Sequence, residues 1–235
     1  MAQSDPGDFI AVLSSEVVFL LDVDNTLLDN DRFGAELGAK LEQSFGPAAR
    51  KRYWEIFEDL RARFGFADYL GSLQTFRAGR DDDPRLLEMA DFLLGFPFPE
   101  LLFPGALAAI AHLRSLGRPV VLSDGDVVFQ PRKIRHAGIW DAVEGAVLIY
   151  LHKERVLDHV ERRYPAKHYV VVDDKPNLLA DMKLVLRDRL TTVFVRQGHY
   201  ALAPGSNAVQ PSPDRVIERI GEITTLNLSD FEVQA

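Results

Sequence analysis

The chain of 235 residues has no cysteine, which excludes disulfides, zinc–thiolate centres and a cysteine nucleophile. It also lacks a basic excess: 27 Lys and Arg stand against 35 Asp and Glu, for a formal net charge of −8. A nucleic-acid footprint needs the opposite balance, so no nucleic-acid partner is expected. No apolar run approaches the roughly 20 residues that span a bilayer. The polar start MAQSDPGDF has no basic segment leading into an apolar one, as a secretory signal would. The expectation is therefore a cytoplasmic protein with no membrane partner. Internal repeats and low-complexity tracts are missing too. What remains is 47% apolar and 26% charged, the proportions of a globular protein with a sizeable core.

Four short apolar runs read as buried strands: VVFLL (17–21), PVVLS (119–123), HYVVV (168–172) and TTVFV (191–195). GAVLIY (145–150) is a weaker fifth. Runs without alternation suit a parallel sheet covered on both faces. Helical patterns lie between them, in PGALAAIAHLRSLG (104–117), KERVLDHVERRY (153–164) and NLLADMKLVLRD (177–188). Strand alternating with helix predicts an α/β, doubly wound parallel sheet. One interval breaks the alternation. Residues 31–98 carry several amphipathic helical patterns and no clear strand, far more chain than a crossover needs. They read as an inserted helical subdomain, closed by GFPFPELLFPG (95–105), where Pro97, Pro99 and Pro104 stiffen the return. The core is expected over 10–30 and 99–222. A loop over 201–213 leads to a short last helix, PDRVIERIGEI, and 223–235 are expected to be a frayed tail.

Ligands of open parallel sheets bind outside the carboxyl ends of the strands, so the residues after each strand decide the chemistry. The first strand runs into VVFLLDVDNTLLDN, which supplies Asp22, Asp24 and Thr26. The second ends in Ser123-Asp124-Gly125-Asp126, and the third is followed by Lys153. The fourth ends in Asp173 and Asp174. Close carboxylates repel one another; a hard divalent cation such as Mg²⁺, with its demand for oxygen ligands, offsets that repulsion. A carboxylate can serve as a nucleophile and form an aspartyl-phosphate. A second one two residues on can protonate the leaving alcohol and then activate water. Ser123 and Lys153, with Asp124 beside them, are placed at the phosphoryl oxygens.

Asp22-Val23-Asp24-Asn25-Thr26, Ser123, Lys153 and Asp173-Asp174 resemble, in order, the four motifs of the haloacid dehalogenase-like hydrolase superfamily. The resemblance covers the sheet domain and implies a Rossmann-like core, and the insertion falls where that superfamily places a helical cap. It implies that Asp22 is the nucleophile and Asp24 the general acid/base. It also implies Mg²⁺ held by Asp22, the backbone carbonyl of Asp24, and Asp174, with Asp173 in the position usual for glycine. Two departures stand out. Leu178 occupies the position of a frequent further acid, so that Asn177 or Asp181 must substitute if anything does, and the lysine motif reads HKERV without the common proline.

The expected activity is Mg²⁺-dependent hydrolysis of a small phosphorylated metabolite, since a helical lid excludes water and rejects large polymers. Dehalogenation by the same nucleophile has no use for Asp24 or for a metal. A phosphomutase would share all four motifs. A phospho-accepting signalling module has its acid pair before the acceptor, the reverse of the order here. A catalytically silent binding protein would have no call for the complete set. Thr26 reads as a loop-stabilising hydroxyl, the aromatics Tyr53, Trp54, Phe57, Phe64 and Phe66 as cap core, and His199 and Tyr200 as loop packing. None of the insertion's arginines stands out.

Overall fold

The computed structural model describes residues 15–203 and 208–231. The polar start, residues 10–14 of the expected core, four residues of the expected 201–213 loop and the end of the expected tail lie outside them. Six parallel strands form one sheet in the order β3-β2-β1-β4-β5-β6. They are β1 (Ser15–Leu21), β2 (Arg118–Asp124), β3 (Val147–Tyr150), β4 (Ala166–Asp173), β5 (Leu190–Val195) and β6 (Arg215–Ile217). The apolar runs lie in β1, β2, β4 and β5, and Val17 to Leu21 are buried throughout. A strand covered on both faces has no solvent side to alternate with, which is why these runs are unbroken. Two threonines interrupt β5, and both are satisfied. Thr191 Oγ1 donates to Phe231 O at 2.5 Å, and Thr192 Oγ1 to Asp214 at 2.9 Å.

Between β1 and β2 the chain forms α1 (Asn30–Phe45), α2 (Pro47–Phe64), α3 (Tyr69–Phe76) and α4 (Arg85–Gly95). Their common core is aromatic. Phe33 of α1 has its ring centroid within 5.6 Å of those of Tyr69, Phe96, Phe98 and Phe129. Phe129 belongs to the sheet domain, so one edge of this cluster joins the insertion to the sheet. The remaining helices are α5 (Ala106–Leu116), α6 (Phe129–His136), α7 (Ile139–Ala142), α8 (Leu157–Arg163), α9 (Pro176–Leu186) and α10 (Gly198–Leu202). No helix among the described residues is long and apolar enough to cross a membrane.

The C-terminal end differs from the sequence reading in two respects. PDRVIERIGEI is not a helix: Arg215–Ile217 add β6 beside β5, and a 3₁₀ turn follows over Ile220–Thr225. The cause is Asp214, whose carboxylate accepts from Thr192 N and from Lys183 Nζ, both at 2.8 Å, and so fixes the segment against the sheet edge. A short apolar run carries too little periodicity to reveal that pairing. Nor is the described part of the tail frayed. Ile223 and Phe231 are fully buried, and Phe231 packs edge-on to Phe19 of β1 at 5.4 Å. His112 of α5 meets the Leu226 carbonyl at 2.7 Å. Phe231→Ala is expected to lower unfolding free energy by about 3–5 kcal/mol, the range for a buried Phe. Urea denaturation checks it, and a loss below about 1 kcal/mol would mean that this end packs only loosely.

Candidate active site

Leu21 is level with Val172, and the Asp22 N–H continues the ladder by donating to Val172 O at 3.0 Å. Asp22 therefore stands beside Asp173. This is also where the strand order reverses, because β2 and β3 lie on one side of β1 and β4 on the other. A crevice opens at such a switch point. Beyond Asp22 the chain turns tightly. The Val23 carbonyl accepts from Thr26, Leu27 and Leu28 at 3.3, 2.9 and 3.0 Å. Asn25 adopts a φ of 63°, a left-handed conformation that Asn tolerates better than most residues. Phe103 N then donates to Leu27 O at 3.0 Å, and Asp29 N to Leu101 O at 2.8 Å. The strand leaving for α1 thus lies against the strand returning from α4. Asp29 caps α1 by accepting from Arg32 N–H at 2.9 Å.

Asp22, Asp173 and Asp174 are all buried, and each brings a carboxylate oxygen within 4.8 Å of the others. One fully buried ammonium faces them. Lys153 Nζ lies 2.5 Å from Asp22 Oδ1 and 2.6 Å from Asp173 Oδ2. It opens a single 3₁₀ turn, Lys153–Arg155, rather than the long helix expected from the sequence, and α8 starts only at Leu157. Burial pushes the Asp22 carboxyl up, but Lys153, Lys175 and the Thr26 hydroxyl outweigh it, so its pKa lies below the ordinary value. Burial would lower Lys153; the carboxylates of Asp173, Asp22 and Asp124 raise it instead. Asp173 also accepts from Lys175 N–H at 2.8 Å and is raised, chiefly by burial.

For Asp174 the charges of Lys175 and Lys153 are outweighed. Neither of its oxygens accepts a hydrogen bond among the described residues, and Asp22 Oδ2 is likewise without one. Burial, then the charges of Asp173 and Asp22, push Asp174 up to about 9. Buried polar atoms without partners are rare, and a buried carboxylate is stable only when paired or bound to a metal. These oxygens suit a hard cation, and Asp22, Asp173 and Asp174 are the residues that could hold one. Asp24's carboxylate is not part of this group. Asn177 and Asp181 are exposed on α9 and join none of these contacts.

The second strand end is built residue by residue. Ser123 is buried, and its hydroxyl accepts from Gln130 Nε2 at 2.9 Å. Asp124 accepts the Lys153 N–H at 2.8 Å, so its carboxylate fastens the lysine's loop; burial raises its pKa. A Cβ on Gly125 would meet Gln130 at 2.8 Å; only glycine lets α6 approach this closely. Asp126 accepts from the Val128 and Phe129 N–H groups at 2.8 and 2.7 Å, which starts α6. From that helix Lys133 forms an ion pair with Asp24, and Gln130 donates to Asp24 Oδ2 at 3.1 Å. Reading strand ends alone misses both residues. No local pattern announces them, because α6 begins five residues beyond the strand end and its side chains meet Asp24 only in the fold.

Between the insertion and the sheet edge lies a cavity of about 510 Å³. Asp24, Asp124 and Lys175 line it from below, and Trp54, Arg61, Phe66 and Tyr69 from the insertion. His199 and Tyr200 line it as well, which corrects their reading as loop packing. Asp31 accepts from the His199 N–H at 2.8 Å, and the Tyr200 ring lies 5.5 Å from Arg61 and 5.4 Å from Lys175.

The sequence signature of the haloacid dehalogenase-like hydrolases matches residues 17–182. The chain belongs to that family. A haloacid dehalogenase-like hydrolase from Burkholderia xenovorans LB400 is 53% identical, over 92% of this chain and 98% of that chain, with a TM-score of 0.86. The L-2-haloacid dehalogenase of Xanthobacter autotrophicus shares 19% identity over 89% of this chain and 97% of its own, with a TM-score of 0.59. The Bacillus subtilis HAD-hydrolase YfnB, solved bound to magnesium, shares 15% over 88% and 96%, with a TM-score of 0.58. The latter two show the fold alone. Among curated proteins no sequence match is found.

The hydrolase's buried acid cluster has a pH signature. Asp174 binds its proton more tightly folded, near pH 9, than unfolded, near the ordinary carboxylate value. The folded state therefore holds more protons across that window, and this group's contribution to stability is lost as pH rises from about 4 to about 9. Asp22, shifted the other way, acts only as pH falls below about 4. Asp174→Asn is expected to raise the melting temperature of EDTA-treated protein at pH 8 by about 2–8 °C, and by less at pH 5. A fall at pH 8 would mean that the carboxylate is compensated within the protein.

Proposed function

We propose that this hydrolase is a Mg²⁺-dependent phosphatase of small phosphomonoesters that works through a phosphoryl group carried on Asp22. The observation that carries the reading is Asp174: a buried carboxylate with neither oxygen bonded, set beside the nucleophile. Asp22 and Asp174, with the backbone carbonyl of Asp24, would hold Mg²⁺, which would supply positive charge to the phosphoryl oxygens. Asp173 is taken up by Lys153 and by the start of α9, and so serves as the lysine's anchor.

The chain's own residues account for the rest of the reaction. Lys153 and Lys175 hold Asp22 ionised, ready to attack phosphorus. Asp24 must enter the step protonated, with Lys133 as a hydrogen-bond donor to it; as the Asp22–phosphorus bond forms, the bond to the leaving oxygen breaks, and Asp24 gives that oxygen its proton. The Ser123 hydroxyl and the Lys153 ammonium carry the charge of the non-bridging oxygens. Water then attacks the phosphorus, Asp24 takes its proton, and inorganic phosphate leaves with Asp22 restored. The cavity bounds the substrate. At about 510 Å³ it accepts a metabolite with an apolar flank against Trp54 and Phe66, not a folded phosphoprotein.

Dehalogenation is the rival, because related folds include dehalogenases. A departing halide needs no proton, and that chemistry leaves Asp24 and Asp174 without a task. Asp22→Asn is expected to lower kcat on 4-nitrophenyl phosphate by at least about three orders of magnitude. EDTA is expected to abolish turnover and Mg²⁺ to restore it. Wild-type rate in the variant, or chloride release from 2-chloropropionate without metal and no phosphate release from any ester, would overturn the proposal. Sugar and nucleotide monophosphates are expected to exceed a phosphopeptide in kcat/KM by at least tenfold; parity would remove the small-molecule reading.

A further inference from the structure

The four strand-end motifs leave unexplained what holds Asp24. Its carboxylate projects into the cavity and is about a quarter exposed, yet both oxygens are engaged from behind by one short helix. Lys133 pairs with Oδ1, and Gln130 donates to Oδ2. The two residues are three positions apart on α6, hence on one face of it. The neighbouring basic residues Arg132 and Arg135 are not buried, whereas Lys133 is completely buried. Burying an ammonium is strongly unfavourable unless it is paired, and a methionine would fill the same volume with no such penalty. Packing alone therefore does not explain a lysine here.

The contacts continue in two directions. Gln130 Nε2 also reaches Ser123 Oγ at 2.9 Å, so one amide joins the acid to a phosphoryl-binding hydroxyl. Lys133 Nζ lies 3.4 Å from Asn30 Oδ1, and Asn30 Nδ2 donates to Tyr69 OH at 3.1 Å. Asn30 is the first residue of α1, and Tyr69 lines the cavity from the insertion. The chain Tyr69–Asn30–Lys133–Asp24 thus links the lid to the acid.

We infer that Lys133 and Gln130 are positioning residues that lock the Asp24 carboxylate in the one orientation facing the leaving-group oxygen. This rests on the phosphatase reading. The consequence is selective. An alkoxide leaves only with a proton delivered to it, whereas 4-nitrophenolate leaves without one. Misplacing Asp24 harms the first case more than the second, while general damage to the fold harms both alike.

The test compares 4-nitrobenzyl phosphate with 4-nitrophenyl phosphate, two esters of similar size, in the Mg²⁺-loaded full-length enzyme. Its readout is kcat/KM, which reports steps through cleavage of the phosphorus–oxygen bond. In Lys133→Met the loss on the benzyl ester is expected to exceed the loss on the phenyl ester by about tenfold or more. Gln130→Met is expected to shift the same ratio in the same direction by a smaller factor. If Lys133→Met shows no cooperative melt, the Gln130→Met ratio decides. Equal losses on both esters, or an unmoved ratio, overturn the inference and leave the phosphatase reading standing. A wild-type enzyme inert toward both esters removes the phosphatase reading itself, and the inference with it.

Discussion

Three buried carboxylates at the ends of two adjacent strands, facing a single fully buried ammonium, set the terms for the rest of the molecule. In a low-dielectric interior such a group is tolerated only if its charges are offset at fixed positions. Lys153 supplies one offset and must reach both Asp22 and Asp173, so its loop is fastened by the Asp124 carboxylate at 2.8 Å. Asp173 is restrained from the other side by the Lys175 N–H. Asp174 is left over. Its two unpartnered oxygens are an imbalance that the rest of the fold has to sustain, and a site that destabilises its own protein is what a binding function produces.

Sheet topology explains how so unfavourable a cluster can be assembled. Both strands that deliver it are central, so their backbone groups are paired on each side and their side chains are covered. The ladder continues through the Asp22 N–H, which fixes the first carboxylate by main-chain geometry rather than by a flexible side chain. The order reversal beside β1 then opens a crevice without interrupting any pairing. Rigidity comes from the strands, and access from the switch point. The helical insertion is attached at that same place, where Leu27 and Asp29 pair with Phe103 and Leu101.

The sequence made the main parts of this legible for a physical reason. Short apolar runs that end in acids are local patterns, and Asp22, Asp24, Ser123, Lys153, Asp173 and Asp174 each stand within a few residues of a strand end. Side chains that act across long separations were not legible. Gln130 and Lys133 meet Asp24 over 106 and 109 positions, from a polar eight-residue helix with no apolar stripe to announce it. His199 and Tyr200 reach the cavity through a contact to Asp31 over 168 positions. The C-terminal strand, Arg215–Ile217, is too short to show a period, and its pairing depends on Asp214, which binds Thr192 at the sheet edge.

Seen from Asp24, the arrangement also answers why two acids, not one, leave the first strand. Asp22 is nearly enclosed, held by Lys153, and is not among the residues that line the cavity. Asp24 stands two residues on, beyond the tight turn, where the strand's alternation no longer governs direction and a quarter of the side chain is open. The turn through Asn25 thus divides a single acidic run into an inner carboxylate, where charge is compensated by lysine, and an outer one, where a bound molecule can reach it. Different surroundings give identical side chains different work. α6 completes that division, because it engages the outer acid without enclosing it.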